Sequence, residues 1–486
     1  MMSSLKSNLK YQTAYQILIT VTPLITAPYL SRVLGAENQG IYSYRLSLVN
    51  YFVLAAMLGM TTYGTKTIAE NCHEKARRDK LFGHLAFVQC SFGLIVLLAY
   101  ILFSIFVCKN NEISFIMVIS VLACLLDFNW FFYGNEKFKI TTTINAVTKI
   151  LVTVCILIFV KQKTDLIKYV IIMSGSTFAS NAALIPFLKK EIRFSDLSIP
   201  NYKEFWFHFK KDVILFIPII AQTVYHVMDK TMLGVMSEYD QVGYYYNADK
   251  LVCIPVGILA GACTVLLPRM STIIASGNYD KKMDTFRTAL QAITCISSSF
   301  CFGIMGIADE FVPLFYGDEY APCILLVKGL ALVIILKSIS EGLKTQYLIP
   351  NENNKCFIIA VFSGCIANII ANAMLIPRLD AIGAVIGTII AEGIAMTFPT
   401  IFICHKEKLF QDVFYCLGFI LIGAIMEVVV DAISFFESCV WLQIGIKIIA
   451  GVFVYVLLTY IYILCTPKAV FSCKVKAFLS SKGLLK

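Results

Sequence analysis

SRVLGAENQGIYSYR, residues 31–45, is a short polar break between two apolar stretches, 11–34 and 41–64. A break of the same design, DKTMLGVMSEYDQVGYYYNADK, occupies residues 229–250. Both carry Leu-Gly, a short acidic turn, then Gly and a run of aromatics: Tyr42 and Tyr44 in the first, Tyr244, Tyr245 and Tyr246 in the second. A second correspondence pairs YGNEKFK at 133–139 with IPNENNK at 349–355. Outward from these breaks, further apolar stretches run over 82–107, 113–133, 141–161, 165–188, 211–236, 242–267, 286–308, 321–343, 355–376, 381–404, 413–434 and 440–465. A helix needs about 20 apolar residues to cross the hydrocarbon of a bilayer, and these fourteen stretches run near that length. Both correspondences are six stretches apart. An even offset preserves orientation, so the repeat is parallel, its halves related about the membrane normal.

The expected fold is therefore all-α and polytopic, with about fourteen transmembrane helices in two pseudo-symmetric six-helix lobes plus two C-terminal helices. The expected boundaries are 1–188 for the first lobe, 189–210 for a linker, 211–404 for the second lobe, and 405–486 for helices 13 and 14 and a basic tail. Composition agrees: 58% of residues are hydrophobic, 15% charged, and the mean hydropathy is +0.76. A soluble chain of this length would alternate apolar and polar faces.

Charge is sorted by loop. With both termini in the cytoplasm, 28 of the 41 Lys and Arg fall in cytoplasmic segments and 5 in external ones, Arg32, Lys109, Lys161, Lys163 and Arg378. The positive-inside rule then places both termini and the 189–210 linker inside. The same bias accounts for the net charge of +10 without nucleic acid as a partner. The first ten residues, MMSSLKSNLK, are short and polar, and no cleavable signal follows. The 17 cysteines include no C-x-x-C pair and lie mostly within the stretches, so neither a disulfide framework nor a metal site is indicated. No phosphate-binding loop, zinc-protease helix, nucleophile elbow or kinase signature occurs, which argues against an ATP-hydrolysing pump and against an enzyme. The linker, KKEIRFSDLSIPNYKEFWFHFK at 189–210, interleaves aromatics with lysines, the composition of either an interfacial segment or a solvated connection.

Five segments in this order, TAPYLSRVLGAENQGIYSY at 26–44, MDKTMLG at 228–234, GYYYNADKL at 243–251, LFYGDEYAP at 314–322 and NAMLIPRLDAIGAVIGTIIAE at 372–392, give the chain a resemblance to a known family. It resembles the polysaccharide repeat-unit flippases (Wzx-type) of the multidrug/oligosaccharidyl-lipid/polysaccharide exporter superfamily. The resemblance implies a fourteen-helix, two-lobed flippase in the bacterial plasma membrane. Such a protein moves an undecaprenyl-diphosphate-linked oligosaccharide by alternating access, for capsule or other surface polysaccharide. It implies no cofactor, and as partners the lipid-linked oligosaccharide, membrane lipids, a polysaccharide polymerase and chain-length machinery.

A carrier of such a substrate needs cations for the diphosphate, and charges at membrane depth are costly enough to read as functional. Arg45, Lys149, Lys168, Lys230, Lys250, Lys328, Lys337 and Lys447 lie within the stretches, against Asp229, Glu341 and Glu392. Arg45, Lys149, Lys230 and Lys250 are the diphosphate candidates, expected to face one water-filled cavity. Lys149 and Lys250 lie roughly 13 Å inside their stretches at 1.5 Å per residue. Lys168 and Lys447 are expected to snorkel to the outer surface, and Lys337 to pair with Glu341 one turn on. Helical phase adds polar candidates: Gln12 and Gln16 on stretch 1, Asn145 in line with Lys149 on stretch 5, and Gln222 and His226 on stretch 7. A stripe of Gln291, Thr294 and Ser298 marks stretch 9, and Asn368 and Asn372 lie one turn apart on stretch 11. Asp229, beside Lys230, and Glu392, one turn after Thr388, are candidates for gating or ion coupling. Gly257-x-x-x-Gly261 and Gly383-x-x-x-Gly387 read as close helix packing. Three alternatives share the architecture or the pathway. A multidrug exporter should carry net acid in its cavity, a lipid II flippase its own Arg-rich signature, and a membrane glycosyltransferase or polymerase a larger external loop.

Overall fold

The computed structural model describes the backbone of residues 2–108, 111–433, 439–467 and 469–481. Side chains are described for the same residues except 2–14, 16, 17, 20, 194, 217–219, 221, 222, 225, 226, 354 and 477–479. Among the described residues the chain is helical without strands. In order, the helices are α1 (Met2–Met57), α2 (Met60–Glu70), α3 (Lys75–Phe106), α4 (Glu112–Ile116), α5 (Val118–Cys124), α6 (Asn129–Gly134), α7 (Phe138–Phe159) and α8 (Leu166–Glu191). There follow α9 (Tyr202–Met236), α10 (Tyr239–Ala275), α11 (Tyr279–Tyr316), α12 (Cys323–Leu343), α13 (Asn354–Glu407), α14 (Phe410–Asp431), α15 (Val440–Cys465) and α16 (Val470–Ser481). Eleven continuous helical segments of the described residues are long and apolar enough to cross a membrane. The protein is a multi-pass membrane protein of all-α class.

Two helices each hold two of the apolar stretches. α1 breaks at Gly35, whose φ of 77° suits a residue without a side chain. α13 breaks at Asp380, with φ 49°, and then folds back on itself. A Cβ at Gly383 would run against the Leu375 backbone, and one at Gly387 against Oδ1 of Asn372. The Gly383–Gly387 pair therefore packs closely, as its spacing predicts. Gly257 and Gly261 do not: among the described residues no neighbouring atom lies within 4 Å of a Cβ placed on either, so the packing reading fails there. Small residues permit close approach without causing it.

The chain divides into two compact units, Met1–Gly243 and Tyr244–Lys486. In the first, stretch 4 is not the single helix its length suggests. It breaks into α4, α5 and α6, and side chains take up the backbone groups freed between them. Gln89 Nε2 donates to the carbonyls of Cys124 (2.7 Å) and Asp127 (3.1 Å), and Asn181 Nδ2 donates to that of Ala123 (2.9 Å). Trp130 Nε1 then donates to Gln89 Oε1 at 2.8 Å. The break drives Trp130, Phe131 and Phe132 into a core with Phe82, Leu85 and Val88 of α3, Leu184 and Leu188 of α8, and Met60, Tyr63 and Ile68 of α2. Gly64 lets α2 lie flat on the Trp130 ring.

The correspondence between 133–139 and 349–355 is a true structural repeat at the level of the turn. Glu136 and Glu352 occupy the same place in it and adopt φ of 57° and 58°. Lys137 N bonds Phe132 O and Asn353 N bonds Leu348 O, both at 2.9 Å. Asn135 Nδ2 and Asn351 Nδ2 each reach back four residues to a carbonyl, at 2.7 and 2.6 Å. This left-handed helix ending usually takes Gly; here Asn-Glu forms it twice, once in each unit. The other correspondence is looser. Gly35 is itself the break, whereas Gly234 is still helical and α9 ends at Ser237, which is extended with φ −141°.

Candidate functional site

The second half of α1 meets the start of α10 through the paired glycines of the repeated motif, and the end of α9 just before it. A Cβ on Gly40 would run into the Tyr239 carbonyl, and one on Gly243 into the Ala36 carbonyl. Gly234 sits against the Tyr44 ring. One turn further along, Tyr51 Oη lies 3.1 Å from Thr231 Oγ1 and 3.8 Å from Met228 Sδ. This crossing carries Arg45 on α1 and Asp229 and Lys230 on α9. Asp229 is buried, and Arg45 and Lys230 are half-buried.

The eight intramembrane cations sort by partner. Lys168 pairs with Asp165 at 2.7 Å, Lys328 with Asp309 at 2.6 Å, Lys337 with Glu392 at 3.2 Å, and Lys447 with Glu310 at 2.5 Å. Two expectations need correction. Lys337 reaches across to α13 and not along its own helix; Glu341 instead pairs with Lys344 at 2.5 Å. Lys447 does not snorkel: its side chain is 3% exposed, and Glu310 of α11, also bonded by Gln443 at 2.9 Å, neutralises it. Glu310 escaped the sequence reading because it follows the end of stretch 9; a lone Lys seven residues into stretch 14 was the available hint.

Arg45 and Lys250 stand apart. Neither forms an ion pair among the described residues. Each lies instead over a tyrosine of its own copy of the repeated motif, Arg45 Cζ at 5.4 Å from the Tyr44 ring centroid and Lys250 Nζ at 3.8 Å from that of Tyr246. Nε of Arg45 is buried and makes no hydrogen bond among the described residues. A ring face offsets part of a cation's desolvation while leaving its N–H groups for another acceptor. Lys149 is half-buried on α7.

The polar stripes are mostly used in packing. Asn145 accepts from Ser180 of α8 at 2.6 Å, and Asn372 donates to Asn368 at 3.1 Å, the latter two residues both buried. Thr388 bonds Tyr245 at 3.0 Å, beside the Lys337–Glu392 pair. On α11, Gln291, Thr294 and Ser298 are fully buried, and Gln291 donates to Asp412 of α14 at 3.1 Å. The side chains of Gln12, Gln16, Gln222 and His226 lie outside the described residues. Among the described residues no cluster of His, Cys, Asp or Glu could hold a metal ion.

Comparison with known proteins extends these observations. The model of the family "Polysaccharide biosynthesis protein" matches residues 5–274. The "Putative O-antigen transporter" of Escherichia coli (strain K12) is 22% identical over 414 residues, covering 84% of this chain and 98% of that protein. The structure "Lipid II flippase MurJ, inward closed conformation" superposes with a TM-score of 0.76 at 16% identity, over 94% of this chain and 98% of that one. An inward-facing multidrug resistance MATE transporter of the MOP superfamily gives a TM-score of 0.62 at 14% identity, over 80% and 96%. At such identities the two structures establish the fold alone. With more than half of its length matched by the family model, the chain belongs to the polysaccharide biosynthesis protein family.

Proposed function

We propose that this protein flips an undecaprenyl-diphosphate-linked oligosaccharide across the bacterial plasma membrane by alternating access, for capsule or a related surface polysaccharide. The observation that carries the reading is the pair of intramembrane cations without a carboxylate partner among the described residues, Arg45 and Lys250, each resting on a tyrosine of the repeated motif. A diphosphate supplies the acceptors these groups lack, through charge-assisted hydrogen bonds worth about 1.5–3 kcal/mol each. Lys149 and Lys230 are further diphosphate ligands in this scheme, and Asp229 and the Lys337–Glu392 pair are charges that re-pair between states. Gln12, Gln16, Gln222 and His226 join Asn145, Asn368 and Asn372 as groups for the hydrated sugar. Both termini and the linker are cytoplasmic, and six-helix lobes over 11–188 and 211–404 are the moving bodies. A polymerase and chain-length machinery receive the product.

The test is transport of a fluorescent undecaprenyl-diphosphate oligosaccharide by the purified protein in liposomes. Protection of the label from an external quencher should change without chemical alteration of the lipid, and Arg45→Ala and Lys250→Ala should slow that change. A wild-type protein that moves lipid II and not the oligosaccharide would replace this reading with its nearest rival, to which the MurJ-like fold lends support. Movement of cationic dyes alone would replace it with drug export.

A further inference from the structure

The first turns of α9 present two faces of opposite kind. Toward the first unit, Phe205 and Phe209 pack against the aromatic core, with Phe209 5.5 Å from Phe92 and Phe205 6.3 Å from Phe87 between ring centroids. On the same side His208 Nδ1 bonds Tyr63 Oη at 2.8 Å, and His84 Nε2 lies 2.9 Å from Ser198 Oγ. Asn201 and Glu204 cap the helix reciprocally, both bonds 2.9 Å. This end of α9 is therefore held in place by α2 and α3 of the same unit.

The outward face joins Tyr202, Lys203, Trp206, Phe207, Lys210, Lys211 and Ile214, all exposed. Tyr202 is 78% exposed, Phe207 52% and Trp206 42%. Such a face suits neither uniform surroundings. Water would leave three large rings unburied on one patch; hydrocarbon would leave three ammonium groups desolvated. The zone between them accepts both, since rings of Trp and Tyr sit at headgroup level and lysines reach the phosphates. Position agrees with composition, because the same helix continues directly into the apolar stretch 211–236, which places its start at the boundary of the bilayer. Lys211 Nζ lies 4.2 Å from the Phe207 ring centroid, so ring and charge form one patch.

We infer that residues 202–214 are a bilayer-surface anchor that binds the phosphate headgroups of anionic phospholipids, clamping the start of α9, and with it the first unit, to one leaflet. The site is distinct from the proposed diphosphate cations and does not depend on what the protein transports. Each lysine near an anionic surface favours such lipids by about fivefold.

Trp206 is the reporter. The full-length protein is placed in nanodiscs of zwitterionic lipid containing a minor fraction of phosphatidylglycerol, with bromine on the acyl chains of one lipid or the other near the glycerol. The Trp206 signal is the difference from Trp206→Phe. At equal brominated fraction, brominated phosphatidylglycerol should quench this signal several-fold more than brominated phosphatidylcholine, and Lys203→Gln/Lys210→Gln/Lys211→Gln should abolish the excess. Equal quenching by both lipids in the wild type would overturn the inference. Quenching by aqueous acrylamide alone would overturn it too, and an excess that survives the triple substitution would overturn the assignment to these lysines. The wild-type measurement stands without the variant's folding.

Discussion

Lys447→Met separates snorkelling from burial. The substitution removes the ammonium at nearly constant volume. Among the described residues it leaves the Glu310 carboxylate with only the Gln443 amide, its Oε2 having no hydrogen bond even in the wild type. Removing one member of a fully buried pair costs about 3–5 kcal/mol, because the other charge stays behind without compensation. Lys447 fits that case at 3% exposure, but Glu310 is 17% exposed and partly screened. We therefore expect about 2–3 kcal/mol. Tryptophan fluorescence during heating in one detergent should show the apparent melting temperature of Lys447→Met falling by several degrees. Glu310→Gln/Lys447→Met, which removes both charges, should recover most of that loss, since a buried pair contributes little net of its desolvation. A snorkelling lysine would make Lys447→Met harmless. Wild-type melting of the single variant, or no recovery in the double, would refute the buried pair.

Gly243→Val should prevent accumulation of monodisperse protein, because its branched side chain meets the Ala36 carbonyl with no flexible group to yield; a cost of about 2–3 kcal/mol is expected, read by size-exclusion after extraction. Arg45→Ala, Lys149→Ala and Lys250→Ala should each lower liposome transport about ten- to a hundredfold at normal membrane levels, with partial recovery in Arg45→Lys, since about 1.4 kcal/mol is a factor of ten. Glu392→Gln should lower stability more than Glu341→Gln, a ranking that pairing of Lys337 with Glu341 would reverse. His208, just before the apolar stretch 211–236, has its pKa pushed down to about 4 by burial and next by His84. The unfolded chain then binds a proton that the folded one refuses, so stability should fall as pH drops from about 6.5 through about 4. His208→Gln should flatten that part of the melting-versus-pH curve; an unchanged slope would refute it.

Sequence alone determined that the chain lives in a membrane and where most of its apolar stretches lie, because the hydrocarbon demands about 20 apolar residues at every crossing; that stretch 113–133 breaks into α4, α5 and α6 was decided by the fold. Sequence also determined that 133–139 and 349–355 are equivalent, since Asn-Glu at matching places builds the same left-handed ending twice. Charge partners were not legible. Lys337 has a carboxylate one turn away on its own helix, yet Glu392, 55 residues later, holds it, because the fold-back at Asp380 brings α13 alongside α12. Lys447 counts as peripheral by its distance from a helix end and as buried by its neighbours. Gly257–Gly261 and Gly383–Gly387 share one spacing, and only the second meets another backbone. Periodicity along one helix specifies what faces sideways; which helix stands there is set by packing across residues far apart in sequence. The separation of Arg45 and Lys250 from Lys168, Lys328, Lys337 and Lys447 emerged only when each of those four found its acid.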